Sequence, residues 1–450
     1  MRRSVITILC TSLLLSASAF ATGFDLREFS PSSLGVAYAG AAAEGRYAST
    51  TMFNPALLTE AGNIDVSVSA TAVLTGTSAE YSADSMLGPT VPVGGASHVK
   101  SFVPSALLPS VAVRVRLTDD LVVGFTSTVP WGLMTKYPDT WAGRYFATKS
   151  EIQTRNFTFS AAYKLLPELS VGAGLQVQFM KGYLSKAIDF GSIGYYYHYL
   201  YNGVGIPSFP AGIPTHDDGY AVMKANNWGF GYTLGLTWKP TDDLTVGLSY
   251  RSRVTQTLEG TLKVTATDTA ATYIATALGE LGSARVHAPM DMPAVAMASV
   301  KWRVDDKWTL LASADWTGWY TMEGIYAITA TNTDVTAMDW KPSVFGSLGV
   351  EYKVTPDWTL RLGTAYDATP THIKYRTPGV PDASRLWLTA GFGYHWNEWM
   401  DVNFGYSRMF GGATHIDQQL TDPGNSIRGT LTGDSSMAIN LVGLELDLRL

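Results

Sequence analysis

The 450-residue chain carries 32 Lys and Arg against 38 Asp and Glu, a net charge of −6, which speaks against a nucleic-acid partner. No run of about 18 apolar residues follows the N-terminus, so helical membrane spans are excluded from the mature chain. Charged residues make up 16%, below the roughly 25% of soluble domains, while 13 Trp, 23 Tyr and 43 Gly are present. That balance suits a transmembrane β-barrel, which turns only alternate residues to lipid.

In chain order, Arg2-Arg3, the apolar core Val5 to Leu15 and the small-residue site Ala19-Phe20-Ala21 read as a secretory signal over 1–21, cleaved after Ala21. Its apolar core is too short for a membrane anchor. Cys10 falls inside it, so no disulfide or thiolate metal site is expected in the exported protein. Residues 22–62 differ from the rest. Small residues run from Gly35 to Ala43, and Asn54-Pro55-Ala56 supplies local turn geometry before the first strand. A short non-β piece ahead of many amphipathic strands is expected to plug the space they enclose.

Residues 63–450 show period-2 alternation. Over 228–238, Trp228, Phe230, Tyr232, Leu234, Leu236 and Trp238 share one face, with an aromatic at each end, as the interfacial girdles of a barrel require. A soluble sandwich would explain the alternation but not the aromatic ends. Six short turns, such as Thr118-Asp119-Asp120 and Thr355-Pro356-Asp357, interleave with seven long loops. About fourteen antiparallel strands follow, with both ends on the short-turn, periplasmic side. Expected strands include 64–72, 121–129, 169–184, 228–238 and 437–450. The last ends on Leu450, where such barrels usually finish on an aromatic. Arg114, Arg116, Arg155, Arg251, Glu351, Arg361, Asp367, Asp401 and Arg408 are expected to face the lumen as a paired structural network. Pro130-Trp131-Gly132 closes the strand 121–129 and marks an edge, kink or bulge. The loop 185–227 carries Tyr195, Tyr196, Tyr197, Tyr199, Leu200, Tyr201 and Phe209, an apolar concentration that marks either a binding surface or internal packing. The second loop, 254–291, has Tyr273-Ile274 and Ala277-Leu278, a candidate short helix.

Three stretches in this order resemble the FadL family of outer-membrane transporters: the N-terminal block with Asn54-Pro55-Ala56, the run Trp131-Gly132-Leu133 to Tyr137-Pro138-Asp139-Thr140-Trp141-Ala142-Gly143-Arg144-Tyr145, and Asn227-Trp228-Gly229-Phe230-Gly231. The resemblance covers essentially the whole mature chain. It implies a monomeric fourteen-stranded barrel in a Gram-negative outer membrane, among outer-membrane lipids and lipopolysaccharide, closed by an N-terminal hatch. It also implies passive uptake of long-chain fatty acids or, in some members, aromatic hydrocarbons. By the same resemblance, a capture groove lies between the loops 185–227 and 254–291. Phe24 and Lys186 line an inner pocket, and a kink at Pro130, Trp131 and Gly132 opens the wall sideways. A second pocket cation of some relatives is unmatched, since that region offers Thr336 with Lys341 nearby. Both substrate classes therefore stay open.

No cofactor or metal is called for. No metal-ligand spacing occurs, and no nucleophile–base arrangement stands out. An outer-membrane lipase and a structural or adhesive barrel remain the rivals from other classes.

Overall fold

In the computed structural model, which describes residues 23–200 and 212–450, fourteen antiparallel strands close into a barrel. They are β1 (Ile64–Asp84), β2 (Ala106–Arg116), β3 (Leu121–Thr128), β4 (Lys149–Leu166), β5 (Leu169–Asp189), β6 (Asp218–Thr241) and β7 (Leu244–Arg251). The second half comprises β8 (Val295–Arg303), β9 (Trp308–Thr317), β10 (Ser343–Lys353), β11 (Trp358–Asp367), β12 (Arg385–Asn397), β13 (Met400–Gly411) and β14 (Thr430–Arg449). Each pairs with its neighbours in sequence, and β1 closes the ring on β14 from Asp65↔Arg449 to Asp84↔Thr430. The expected signal over 1–21 lies outside the described residues.

The alternation sets the phase of each strand. On β6, Trp228, Phe230, Tyr232 and Leu234 are about half exposed or more, while Gly229, Thr233 and Thr237 point to the lumen and are buried. Trp228 and Trp238 are ten residues apart on β6. At ~3.3 Å per residue and a tilt near 45°, that spans ~24 Å, the height of an apolar barrel band.

Several strands reach further than the sequence pattern indicated. β1 runs 64–84 rather than 64–72, and β6 runs 218–241 rather than 228–238. Their loop-side ends are paired but lack an outward apolar band, because they stand above the ~10 residues needed to span lipid, and their buried apolar residues, such as Tyr81 and Met223, face inward. The phase also corrects two side chains. Arg155 shares its outward row with Phe179 and Trp228, and Arg408 sits outward beside the Phe410 ring.

Inside the barrel lies the N-terminal segment, 23–62. It contains one helical turn at Pro31–Leu34 and 3-10 turns at Ala48–Met52 and Pro55–Glu60, and almost all of it is buried. Polar groups of the wall satisfy its backbone. Arg114 on β2 donates to the carbonyls of Gly45, Arg46 and Leu57 while pairing with Asp65 at 2.7 Å. Glu445 on β14 accepts from the Ser32 amide at 3.2 Å and the Ser49 hydroxyl at 2.8 Å.

Asn54 caps the Pro55–Glu60 turn by accepting from Ala56 N–H. Its Nδ2 donates to Ala42 and to the Leu236 carbonyl of β6. The contact is close enough that a Cβ on Gly235 would lie 1.9 Å from the Asn54 oxygen, and one on Gly247 would lie 1.8 Å from the Ala42 carbonyl. Gly247→Val should therefore displace the segment and leave the ring of strands intact. Limited proteolysis should cut 23–62 faster while the heat-modifiable gel shift of the barrel persists. Unchanged cleavage would contradict this packing.

Candidate functional site

Beside the N-terminal segment a ladder of the wall is interrupted. β2 pairs with β3 only from Val111↔Ser127 to Arg116↔Val122. Past Thr128 the chain leaves β2, and its continuation, Gly132–Lys136, pairs with β4 alone. At the break the backbone turns to the lumen. Leu26 N–H donates to the Pro130 carbonyl at 2.8 Å, and Gly132 N–H donates to the Phe24 carbonyl at 2.9 Å. Trp131, between them, faces the other way and exchanges hydrogen bonds with Thr154 of β4. Pro130 has no donor of its own, which fits a residue at the end of a ladder.

Phe24 is thereby held in a buried aromatic cluster. Its ring lies 4.7 Å from Trp319, 5.5 Å from Trp340 and 6.4 Å from Trp131, and Trp319 is 5.4 Å from Trp131. Gly23 at φ +64° passes under this cluster, where a Cβ would meet Trp340 at 2.7 Å. A buried ion group flanks the rings. Asp25 pairs with Arg27 at 3.2 Å and with Arg251 at 3.5 Å, Arg27 also pairs with Asp315, and the Arg251 guanidinium lies 4.8 Å over Trp131. Paired in this way, the charges do not stand uncompensated in the lumen.

Lys186, near the loop-side end of β5, does not join the Phe24 cluster. Its Nζ is 2.6 Å from Asp334 Oδ2, and Arg428 is 3.1 Å from the other oxygen of the same carboxylate. Asp334 sits on a hairpin of Gly324–Ile328 and Thr333–Ala337, within the loop between β9 and β10. Arg428 comes from the loop before β14. Burial raises the Asp334 carboxyl, but the two cations outweigh it and hold it at about 2. The mouth thus has two cations converging on one carboxylate. Arg428 also approaches Thr336 Oγ1 at 3.4 Å, beside the position where the sequence offered no second cation.

The chain matches, over residues 12–449, the family described as "Outer membrane protein transport protein (OMPP1/FadL/TodX)". It belongs to this family. It is 28% identical over 418 residues to the long-chain fatty acid transport protein of Escherichia coli K12, covering 90% of this chain and 91% of that protein. It is 24% identical to outer membrane protein P1 of Haemophilus influenzae over 98% of both chains. The crystal structure of a Pseudomonas aeruginosa FadL homologue superposes with a TM-score of 0.86, at 24% identity, over 95% of this chain and 99% of that one. The Pseudomonas putida toluene transporter TodX superposes at 0.65, with 17% identity, over 96% and 100%.

The stretches that carried the FadL resemblance have separate places in the fold. Tyr137 stacks between Phe102 and Trp141 at 5.1 and 4.2 Å, and Arg144 and Tyr145 both reach Asp218, which orders the outer loops. The aromatic run forms a helix, α1 (Phe190–Leu200), packed on α2 (Thr269–Ala277). Phe190, Ile193 and Tyr197 face α2, whereas Tyr195, Tyr199 and Tyr273 are exposed. Internal packing therefore accounts for one face and leaves the other exposed, as i, i+4 spacing separates them. Tyr201 and Phe209 lie outside the described residues, and so does the Leu200 side chain. Two concavities, of about 800 and 660 Å³, lie on the lipid-facing wall over β2–β6 and β7–β12, outside the lumen.

In this FadL-family barrel the hairpin is pinned across the mouth by ion pairs. Asp334→Ala should release it, because Lys186 and Arg428 then face each other without a shared carboxylate. Partly exposed pairs contribute at most about 1 kcal/mol each, so cleavage of residues 324–337 by added protease should rise about fivefold to tenfold. No change in that rate would show that the hairpin is held by other contacts.

Proposed function

We propose that this protein is a passive outer-membrane channel for long-chain fatty acids, with residues 22–62 as its hatch. The tail is captured on the exposed faces of α1 and α2 at Tyr195, Tyr199 and Tyr273. Its carboxylate is taken by Lys186 and Arg428, in exchange for Asp334. The tail then meets the Phe24 cluster. Displacement of Phe24 frees the backbone at Pro130 and Gly132, and the ligand leaves sideways between β2 and Gly132–Lys136 into the bilayer. No cofactor or chemical step is needed, since downstream consumption sets the direction. The observation that carries this reading is the pairing of Leu26 with Pro130 and of Phe24 with Gly132, which makes the hatch part of the wall at its interrupted ladder. Support for an acid comes from the two cations at one carboxylate position. The long-chain fatty acid transport protein of Escherichia coli gives the substrate class by its relation to this chain.

The aromatic cluster favours a second reading, uptake of monoaromatic hydrocarbons by the same route. Four packed rings accept a neutral ring as readily as an alkyl tail. The two readings separate on the cations. Charge-assisted hydrogen bonds contribute about 1.5–3 kcal/mol each. The double substitution Lys186→Met and Arg428→Met should therefore weaken oleate binding by about 100-fold or more and leave toluene uptake unchanged. Equal oleate affinity in the two proteins would remove the carboxylate site from the mechanism.

The exit is tested at the kink. Replacing Pro130-Trp131-Gly132 with Val-Thr-Val should extend the ladder of β3 along β2 and abolish uptake of either substrate in a deletion strain, with the barrel still folded. Unimpaired uptake would rule out release through the wall.

A further inference from the structure

The outer face of β4, β5 and β6 carries a charge pattern that the transport route does not use. Arg155, Phe179 and Trp228 form one outward row, and the Phe179 and Trp228 rings are 5.1 Å apart. This row is the outer aromatic girdle. Above it the strands continue, joined by Thr257–Ala266 and Gly282–Pro289, which extend the sheet from β6.

The next outward row aligns Gln153, Lys181, Asn226, Glu259 and His287. The following row aligns Glu151, Tyr183, Lys224, Thr261 and Arg285. In the third row Lys149 and Lys263 take part. Six cations thus face outward with two carboxylates. Glu151 is buried between Lys149 and Lys181, the latter 3.8 Å away, and it offsets one charge of that pair. Lys181, Lys224, Lys263 and Arg285 are exposed. Lys149 and Lys224 also lie over the Tyr183 ring, at 4.6 and 5.6 Å from its centroid, so their stems are ordered on an aromatic surface.

Four strands round the barrel from β5, on the loop-side extension of β1, the charge pattern is different. Where β14 meets β1, the outward row pairs Glu80 with Asp434, and His98 and His415 flank them. Apart from Lys100 in the next outward row, that patch is acidic, so the two differ in sign.

We infer that this sector is a binding site for the phosphate groups of an outer-leaflet glycolipid, the phosphorylated disaccharide of lipopolysaccharide. The argument is positional and chemical. Acyl chains pack against Phe157, Phe179 and Trp228 in the band below. The headgroup of the same molecule then meets Lys181, Lys224, Lys263 and Arg285 within a few residues' rise of the girdle. Strand-borne cations at fixed spacing suit two phosphates on a rigid disaccharide, and basic side chains just outside a bilayer attract anionic lipid headgroups. The length of β6 is explained as well. Its 24 residues exceed what lipid requires, and the excess carries Lys224.

The test uses the purified full-length protein stripped of lipid, with EDTA present, in native mass spectrometry. It is titrated with lipid A carrying two phosphates and with the same lipid after phosphate removal. Each near-surface cation contributes at most about fivefold to affinity. Wild type should prefer the phosphorylated lipid, and the preference should shrink between about 50 and about 300 mM salt. The combined substitution Lys181→Ser, Lys224→Ser, Lys263→Ser and Arg285→Ser should weaken phosphorylated lipid A by about 30-fold or more and leave dephosphorylated lipid unchanged. Lys307→Ser with Lys353→Ser, at the short-turn end, should alter neither. If the fourfold variant does not fold, Lys181→Ser with Lys224→Ser serves, with an expected loss of about tenfold. Binding within about threefold of wild type in a folded variant would overturn the inference. So would equal loss of both lipids, which would mark a packing surface rather than a phosphate site.

Discussion

A barrel in lipid must pair its own backbone, because the hydrocarbon offers no partner to a free N–H or carbonyl. This constraint makes the interrupted ladder at β3 the centre of the molecule. Where β2 and the Gly132–Lys136 continuation part, Pro130 and Gly132 turn their backbone inward to Leu26 and Phe24. Each such bond in isolation nets only about 1 kcal/mol, but leaving both groups unsatisfied in a dry site costs about 1–3 kcal/mol each. A segment inside the lumen therefore completes the wall. Any ligand that moves Phe24 acts on the wall's hydrogen bonding at the same moment, with no longer chain of contacts required.

The rest of the interior keeps that segment in register. Wall glycines let its backbone approach to contact, as at Gly235 and Gly247, and buried polar side chains accept or donate where it has no ladder. Glu445 takes donors from Ser32 and Ser49, and Arg114 gives protons to three carbonyls. Buried charges are costly unless saturated, and the hydrogen bonds here are what make the arrangement tolerable. The firm region is the lower part of the segment, around Asn54. The Phe24 end has instead two backbone bonds to the wall, an aromatic cluster and a compact ion group.

Much of this was legible in the sequence because it depends on local residue types. Turn and loop lengths give the fourteen strands, Trp228 and Trp238 set the apolar band, and proline with glycine marks the end of β3. What was hidden depends on long-range pairing. The bond from Gly132 to Phe24 uses backbone atoms, so no side-chain pattern records it. Arg428 meets Asp334 across 94 residues of chain and joins Lys186 only after three loops have folded together. The upper ends of β1 and β6 escaped notice for a different reason. Their apolar residues alternate on the inward face, as Ala79, Tyr81 and Ala83 do on β1 and Ala221, Met223 and Ala225 on β6, while mainly polar residues stand outward in water, the reverse of the membrane pattern. Arg155 and Arg408 stand in outward rows, so their charge alone does not assign their face. On a strand, phase decides the face, and both share the parity of outward aromatics.

The same phase argument separates the two kinds of charge in this barrel. Inward charges sit in short-range pairs and compact groups, as Arg361 does with Glu351 at 2.7 Å and Asp25 with Arg27 and Arg251, since the lumen screens them little. Outward charges above the girdle are uneven, cationic over β4–β6 and acidic where β14 meets β1. Folding alone gives no reason for that imbalance, because exposed like charges repel weakly and contribute little to stability. An external anion does give one. The Lys186–Asp334–Arg428 group belongs between these cases. It is partly exposed, has two cations for one carboxylate, and stands at the mouth, which is where the proposed function brings in a second carboxylate.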